Sequence, residues 1–179
     1  KTEIICNSDN QCSTLIICID TEANFFNLMN AVNAMAEKYD MPILYSCHPR
    51  SKKFIEQRGF RFDPRVIQHQ PLGFHDYNHL QMNAFAVVSD SGTLPEESSF
   101  FLSVGSPIPA VCIRTSTERP EALDAGTVKL VGTDYNKIVS EVSILLDDAS
   151  AYEQMSKAIN PYGDGKACMR ITQTLNVRL

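Results

Sequence analysis

The chain has 179 residues, 44% of them hydrophobic and 21% charged, enough for one domain with a sizeable core. Its 16 Lys and Arg against 21 Asp and Glu give a net charge of -5, which excludes the broad basic surface that nucleic acid or an anionic membrane requires. The six cysteines, Cys6, Cys12, Cys18, Cys47, Cys112 and Cys168, include no C-x-x-C pair, and several stand in apolar runs where a reduced thiol acts as a small hydrophobe.

That usage points to a reducing compartment. No apolar run approaches a membrane span and Lys1-Thr2-Glu3 opens no signal peptide, so the expectation is a soluble, cytoplasmic protein.

In chain order, Thr2 to Cys6 reads as a short strand and Asn7 to Gln11 as a polar turn. The β-branched run Ser13 to Ile19 reads as a buried strand. From Glu22 to Lys38, Phe25, Leu28, Met29, Val32, Met35 and Ala36 recur at helical spacing, with Asp20 or Thr21 placed to cap the helix. Pro42 to Cys47 is the next strand, followed by His48-Pro49-Arg50 and a polar helix from Ser51 to about Arg58.

Val66 to His69 is a shorter strand, Gln70 to His75 a loop, and Asp76 to Asn83 a short helix. A strand from Phe85 to Ser89 then meets Asp90-Ser91-Gly92-Thr93 and a helix from Pro95 to Leu102. Pro109 to Arg114 and Thr127 to Val131 are further strands, Asp134 caps a helix bearing Ile138, Val142, Leu145 and Leu146 on one face, and two helices close the chain. Strands alternating with helices predict an α/β fold with a mostly parallel sheet flanked by helices. There is no internal repeat, low-complexity segment or linker.

Ligands of such sheets bind beyond the C-terminal ends of the strands, where four polar clusters fall: Asp20-Thr21, His48-Pro49-Arg50, Asp90 to Thr93, and Arg114 to Arg119. Ser91-Gly92-Thr93 suits a phosphate cradle, because free N–H groups and the dipole of a helix N-terminus attract anions. The same residue types suit a plain N-cap with a turn glycine. Neither G-x-G-x-x-G nor G-x-x-x-x-G-K-[ST] is present.

Arg119, just ahead of Pro120, can clamp a phosphate bidentately or pair on the surface with Glu118 or Glu121. Glu97 stands about one helical turn past the cradle, suited to accept from sugar hydroxyls or to be solvated. His75 and His79 have the i, i+4 spacing of a metal pair but lack a third ligand, so no metal site is assigned.

Three segments carry more than spacing: Ser89 to Glu97 (Ser-Asp-Ser-Gly-Thr-Leu-Pro-Glu-Glu), Thr117 to Thr133 (opening Thr-Glu-Arg-Pro-Glu-Ala), and Asn160 to Ala167 (Asn-Pro-Tyr-Gly-Asp-Gly-Lys-Ala). In this order they closely resemble the non-hydrolysing UDP-N-acetylglucosamine 2-epimerases, over about residues 19 to 175. The Gly-Phe-His-Asp-Tyr and Glu-Glu-Ser-Ser-Phe-Phe segments look most like the branch that makes N-acetyl-fucosamine precursors.

The resemblance implies a Rossmann-like fold matching the C-terminal half of a glycosyltransferase-B architecture, with residues 1–18 a divergent or reading-frame-altered start and 19–179 a UDP-binding domain. It implies epimerisation at C2 of a UDP-N-acetylhexosamine in surface polysaccharide precursor synthesis, with no metal or redox cofactor, a homodimer, and an N-terminal half-domain as partner. By motif, Ser91 and Gly92 would hold the diphosphate, Arg119 would neutralise it, Glu97 would bind the ribose hydroxyls, Tyr77 would lie beside uracil, and His48 would stand near a second, regulatory nucleotide-sugar site.

No catalytic residue is assigned, because the family's acidic residues belong to the other half. The family also places a His-Arg-Glu-Glu-Asn motif just before Ile19-Asp20-Thr21-Glu22, where this chain has Thr14 to Cys18, with Thr14 at the histidine position. The resemblance therefore expects a site loop where the residue pattern expects a buried strand.

Overall fold

A computed structural model describes residues 14–19 and 24–176. The strand expected at Thr2 to Cys6 and the cap expected at Asp20 or Thr21 lie outside the described residues. Fourteen elements follow in the order β1 (Leu15–Cys18), α1 (Phe25–Tyr39), β2 (Ile43–Ser46), α2 (Pro49–Gln57), β3 (Val66–His69), α3 (Phe74–Met82) and β4 (Ala86–Ser89), then α4 (Leu94–Ser103), β5 (Ala110–Cys112), α5 (Pro120–Ala125), β6 (Val128–Leu130), α6 (Tyr135–Asp147), α7 (Ala149–Ser156) and α8 (Ala167–Asn176).

The six strands form one sheet in the order β3-β2-β1-β4-β5-β6, every pair parallel. The order reverses between β1 and β4. There the chain leaves one strand toward one face of the sheet and the next toward the other, which opens a crevice at the strands' C-terminal ends.

The pleat divides the core between the two faces. Leu15, Ile17 and Ile19 of the β1 region pack with Phe25, Leu28, Val32 and Met35 of α1 and Ile138, Val142 and Leu145 of α6. Ile16 faces the other way, with Leu44, Val87, Ala110 and Cys112, against Leu94 and Phe101 of α4 and Ala122 of α5. Both faces being covered explains why the strands read as unbroken apolar runs rather than alternating ones. Each fully buried Leu, Ile or Met contributes about 1.5–3 kcal/mol from burial.

All six α1 residues expected at helical spacing are buried. The described helix begins at Phe25, after Asn24 in a left-handed conformation with φ 56° and no side-chain cap bond, and the start expected at Glu22 lies outside the described residues. α2 and α3 each begin two residues earlier than expected, at Pro49 and Phe74. Pro49 needs no N–H partner at a first helical turn, and His48 Nδ1 accepts from Arg50 N, so the cap moves upstream of Ser51. Asp134 caps α6 as expected, its Oδ1 accepting from Lys137 N at 3.0 Å.

Residues 14–18 are not a site loop. Leu15–Ile17 pair with Ile43–Tyr45 on one side and Leu15–Cys18 with Ala86–Ser89 on the other, in the centre of the sheet. They also fall on the near side of residue 19, so this part of the leading segment packs as an integral piece of the domain.

Candidate functional site

Beside the β1/β4 crevice, residues 89–97 make a hydrogen-bonded turn from β4 into α4. Ser89 Oγ, buried, accepts from Ser91 N at 3.0 Å, and Ser91 Oγ accepts from Thr93 N at 3.3 Å. Thr93 Oγ1 lies 2.9 Å from Ser91 Oγ and donates to Glu97 Oε1 at 2.7 Å. Because Thr93 spends its single hydroxyl proton on Glu97, Ser91 must be the donor to Thr93. The chain Ser91 to Thr93 to Glu97 thereby ties the turn to the first turn of its helix.

Thr93 caps α4 without a side-chain bond to the helix backbone, and Pro95 sits in its first turn. Gly92 has a φ outside the left-handed region, so a turn conformation does not call for glycine here. The space beside it is narrow instead. A Cβ at this position would come within 3.1 Å of Arg114 Nη1.

Two arginines of the β5–α5 segment flank this turn. Arg114 donates through Nη1 and Nη2 to the two carboxylate oxygens of Glu118, at 3.3 Å each. Glu118 is held below the usual carboxylate range by its own backbone N–H and then by Arg114. Arg119 stands at the N-terminal end of α5, its backbone N–H donating to Thr117 Oγ1 at 3.1 Å.

The Arg119 side chain pairs through Nε with Glu96 Oε1 of α4, and its Nη1 donates to the Glu118 carbonyl at 3.2 Å. This corrects the expected surface pair with the Glu118 or Glu121 carboxylate: the partner comes from another helix. The Glu96 contact raises the Arg119 pKa further. With Nε on Glu96 and one Nη1 proton on the Glu118 carbonyl, the remaining Nη protons can meet a second anion.

Tyr77, on α3, is half-buried against the second core face. Its phenol is pushed well above its ordinary value, chiefly by burial and then by Cys18, Glu97 and Asp90. Those neighbours put the hydroxyl at the crevice between the ends of β1 and β4. Gln81, one turn further along α3, donates through Nε2 to Glu97 Oε2 at 3.2 Å.

The fold thus brings Ser91, Gly92 and Glu97 onto one turn, ties Arg119 to it through Glu96, and sets Tyr77 beside Glu97. His48 belongs to a different turn, after β2, where it serves as the cap of α2. Thr93 and Arg114 fell within candidate clusters without a role of their own, and Glu96 and Gln81 were not singled out from sequence. The i, i+4 spacing of Thr93 and Glu97 and the place of Arg114 at a strand end were available signals; nothing local marks Gln81 or Glu96. No cluster able to hold a metal ion occurs among the described residues.

Thr14, at the motif position of the family histidine, is buried, 7% exposed, and its carbonyl accepts from Phe85 N at 2.9 Å. It precedes β1, at the N-terminal edge of the sheet. With a rise of about 3.3 Å per residue, four residues put it roughly 13 Å from the edge that carries the crevice.

Comparison with known proteins gives a family match to UDP-N-acetylglucosamine 2-epimerase over residues 18–176. The chain is 38% identical over 154 residues to the UDP-N-acetylglucosamine 2-epimerase of Yersinia pestis, covering 84% of this chain and 39% of that one. It is 46% identical over 138 residues to the enzyme of that name from Escherichia coli (strain K12), covering 76% and 35%.

Among solved structures, the S. aureus MnaA–UDP co-structure superposes with a TM-score of 0.81 at 27% identity, over 99% of this chain and 48% of that one. The UDP-GlcNAc 2-epimerase from Neisseria meningitidis bound to UDP-GlcNAc gives 0.80 at 29%, over 96% and 46%. The calicheamicin glycosyltransferase CalG4, at 13% identity and a TM-score of 0.60, shares the fold alone. The chain spans less than half the length of these relatives. With a Rossmann-like parallel sheet and a match over nearly its whole length, the chain belongs to the UDP-N-acetylglucosamine 2-epimerase family.

Proposed function

We propose that this chain is the UDP-holding half of a UDP-N-acetylglucosamine 2-epimerase, unable to epimerise its substrate alone. The observation that carries the reading is the arrangement at the β4–α4 turn: a glycine of close approach, a helix N-terminus, and Arg119 tethered by Nε at the same helix. Relatives whose structures contain UDP or UDP-GlcNAc support it. In the family reaction the C1–O bond to UDP breaks as the C2 proton is removed, giving a glycal, and UDP adds back after a proton returns on the opposite face. No metal or redox cofactor takes part in that chemistry.

In this chain Ser91 and the Gly92 backbone would hold the diphosphate and Arg119 would balance the charge it gains on leaving. Glu97 would accept from the ribose hydroxyls, Tyr77 would lie beside uracil, and His48 would stand near a second nucleotide-sugar site. The groups that move protons would come from an N-terminal half-domain, in a homodimeric cytoplasmic enzyme of surface polysaccharide precursor synthesis, with the UDP-N-acetyl-fucosamine branch as the closest in motif. The domain so proposed is the UDP-binding unit through residue 179.

Calorimetry tests the reading. UDP should bind the wild-type chain and bind Arg119→Ala about tenfold or more weakly, as expected for loss of a charge-assisted hydrogen bond. Absence of any heat of UDP binding to the wild type would overturn it. Turnover of UDP-N-acetylglucosamine by the chain alone would refute the inactivity.

A second reading, a non-catalytic UDP-sugar binding or regulatory module, is favoured by the apolar β1 standing where the resemblance expects a basic and acidic loop. It predicts UDP binding with no turnover even when an N-terminal half from a relative is added.

A further inference from the structure

We infer that Gln81 is a specificity-determining positioning residue, which fixes the Glu97 carboxylate so that its open lone pairs meet the vicinal hydroxyls of a nucleoside diphosphate's ribose. The inference rests on the UDP-holding reading of the site. Gln81 is fully buried, 0% exposed, on a helix that otherwise presents apolar residues to this face of the sheet. Its Nε2 donates to Glu97 Oε2 at 3.2 Å, while Thr93 Oγ1 donates to Glu97 Oε1 at 2.7 Å.

Each carboxylate oxygen thus carries one protein donor, which sets the plane of the group. A carboxylate has about four lone-pair directions, so roughly two remain, one per oxygen. Two parallel acceptors match a cis diol.

The other end of Gln81 supports a role beyond packing. Its Oε1 is buried and has no hydrogen-bond partner among the described residues. A buried, unpaired amide carbonyl destabilises a fold, and an apolar side chain of the same size would avoid that cost. The glutamine therefore stands where an apolar side chain of similar size would avoid that cost, and the group its amide serves is Glu97.

The test is calorimetry of UDP and 2′,3′-dideoxy-UDP on the full chain, with thermal melting alongside. Wild type should bind UDP about tenfold or more tightly than the dideoxy compound. Gln81→Met and Gln81→Leu should shrink that ratio to within about threefold, bind the dideoxy compound as wild type does, and melt no lower than wild type.

If wild type binds neither compound, the UDP-holding reading fails and the inference with it. If wild type binds both equally, Glu97 does not read the diol. If wild type discriminates and either folded variant still does, the role of Gln81 is overturned while the UDP-holding reading stands. Unfolding of both variants also contradicts it, since a side chain with an unpaired buried carbonyl should be replaceable without loss of the fold.

Discussion

Gly92 is where a single methyl group would be felt. Since its φ is open to any residue, alanine there strains no backbone, and the added carbon meets only the mobile end of Arg114 at 3.1 Å. Gly92→Ala should therefore leave stability within about 0.5 kcal/mol of wild type by urea titration, yet lower UDP affinity about tenfold by blocking approach to the turn. Arg119→Lys should also bind UDP weakly. An ammonium keeps the charge but cannot hold Glu96 with one edge and present a planar pair of donors with the other. The comparison of Arg119→Lys with Arg119→Ala by calorimetry separates charge from geometry.

At the scale of elements, α6 depends on its cap and on its packing with α1. Asp134→Ala removes the acceptor for Lys137 N and should cost about 1 kcal/mol, read from the urea midpoint. β1 sets a different limit. A histidine introduced at Thr14 would not supply a catalytic group, because that position is buried at the N-terminal edge of the sheet, away from the crevice. Thr14→His should lower the melting temperature and confer no turnover, even with an N-terminal half supplied.

For the molecule as a whole, carboxylates held in place by arginine contribute to acid stability. Asp63 is lowered below its ordinary 3.8 by hydrogen bonds from the Arg65 side chain and backbone, and Asp164 by Arg170 and Lys166 N. A depressed carboxyl stabilises the fold fully above its unfolded value, and that contribution disappears as pH falls through the folded value. Urea midpoints should hold steady at higher pH and fall below about 3.8. Asp63→Asn should be less stable at neutral pH and show a shallower acid decline, since it has no proton to take up.

Much of this molecule could be read from residue order. The apolar runs 15–18, 43–46, 86–89 and 110–112, punctuated by helices with one buried stripe, are enough for a parallel α/β sheet, because burial on both faces demands that pattern. The motifs around Ser91, Arg119 and Tyr162 were enough for the family. Tertiary structure alone decided how those motifs meet. Arg119 pairs with Glu96, 23 positions away, and Glu97 with Gln81, 16 positions away, contacts with no local signature because they depend on how helices from three crossovers stack on one face. It also decided between the two readings of residues 15–18: the strand that their apolar pattern predicts stands, and the loop that their motif position implied does not, since four apolar residues satisfy their backbone groups and leave water together between β2 and β4.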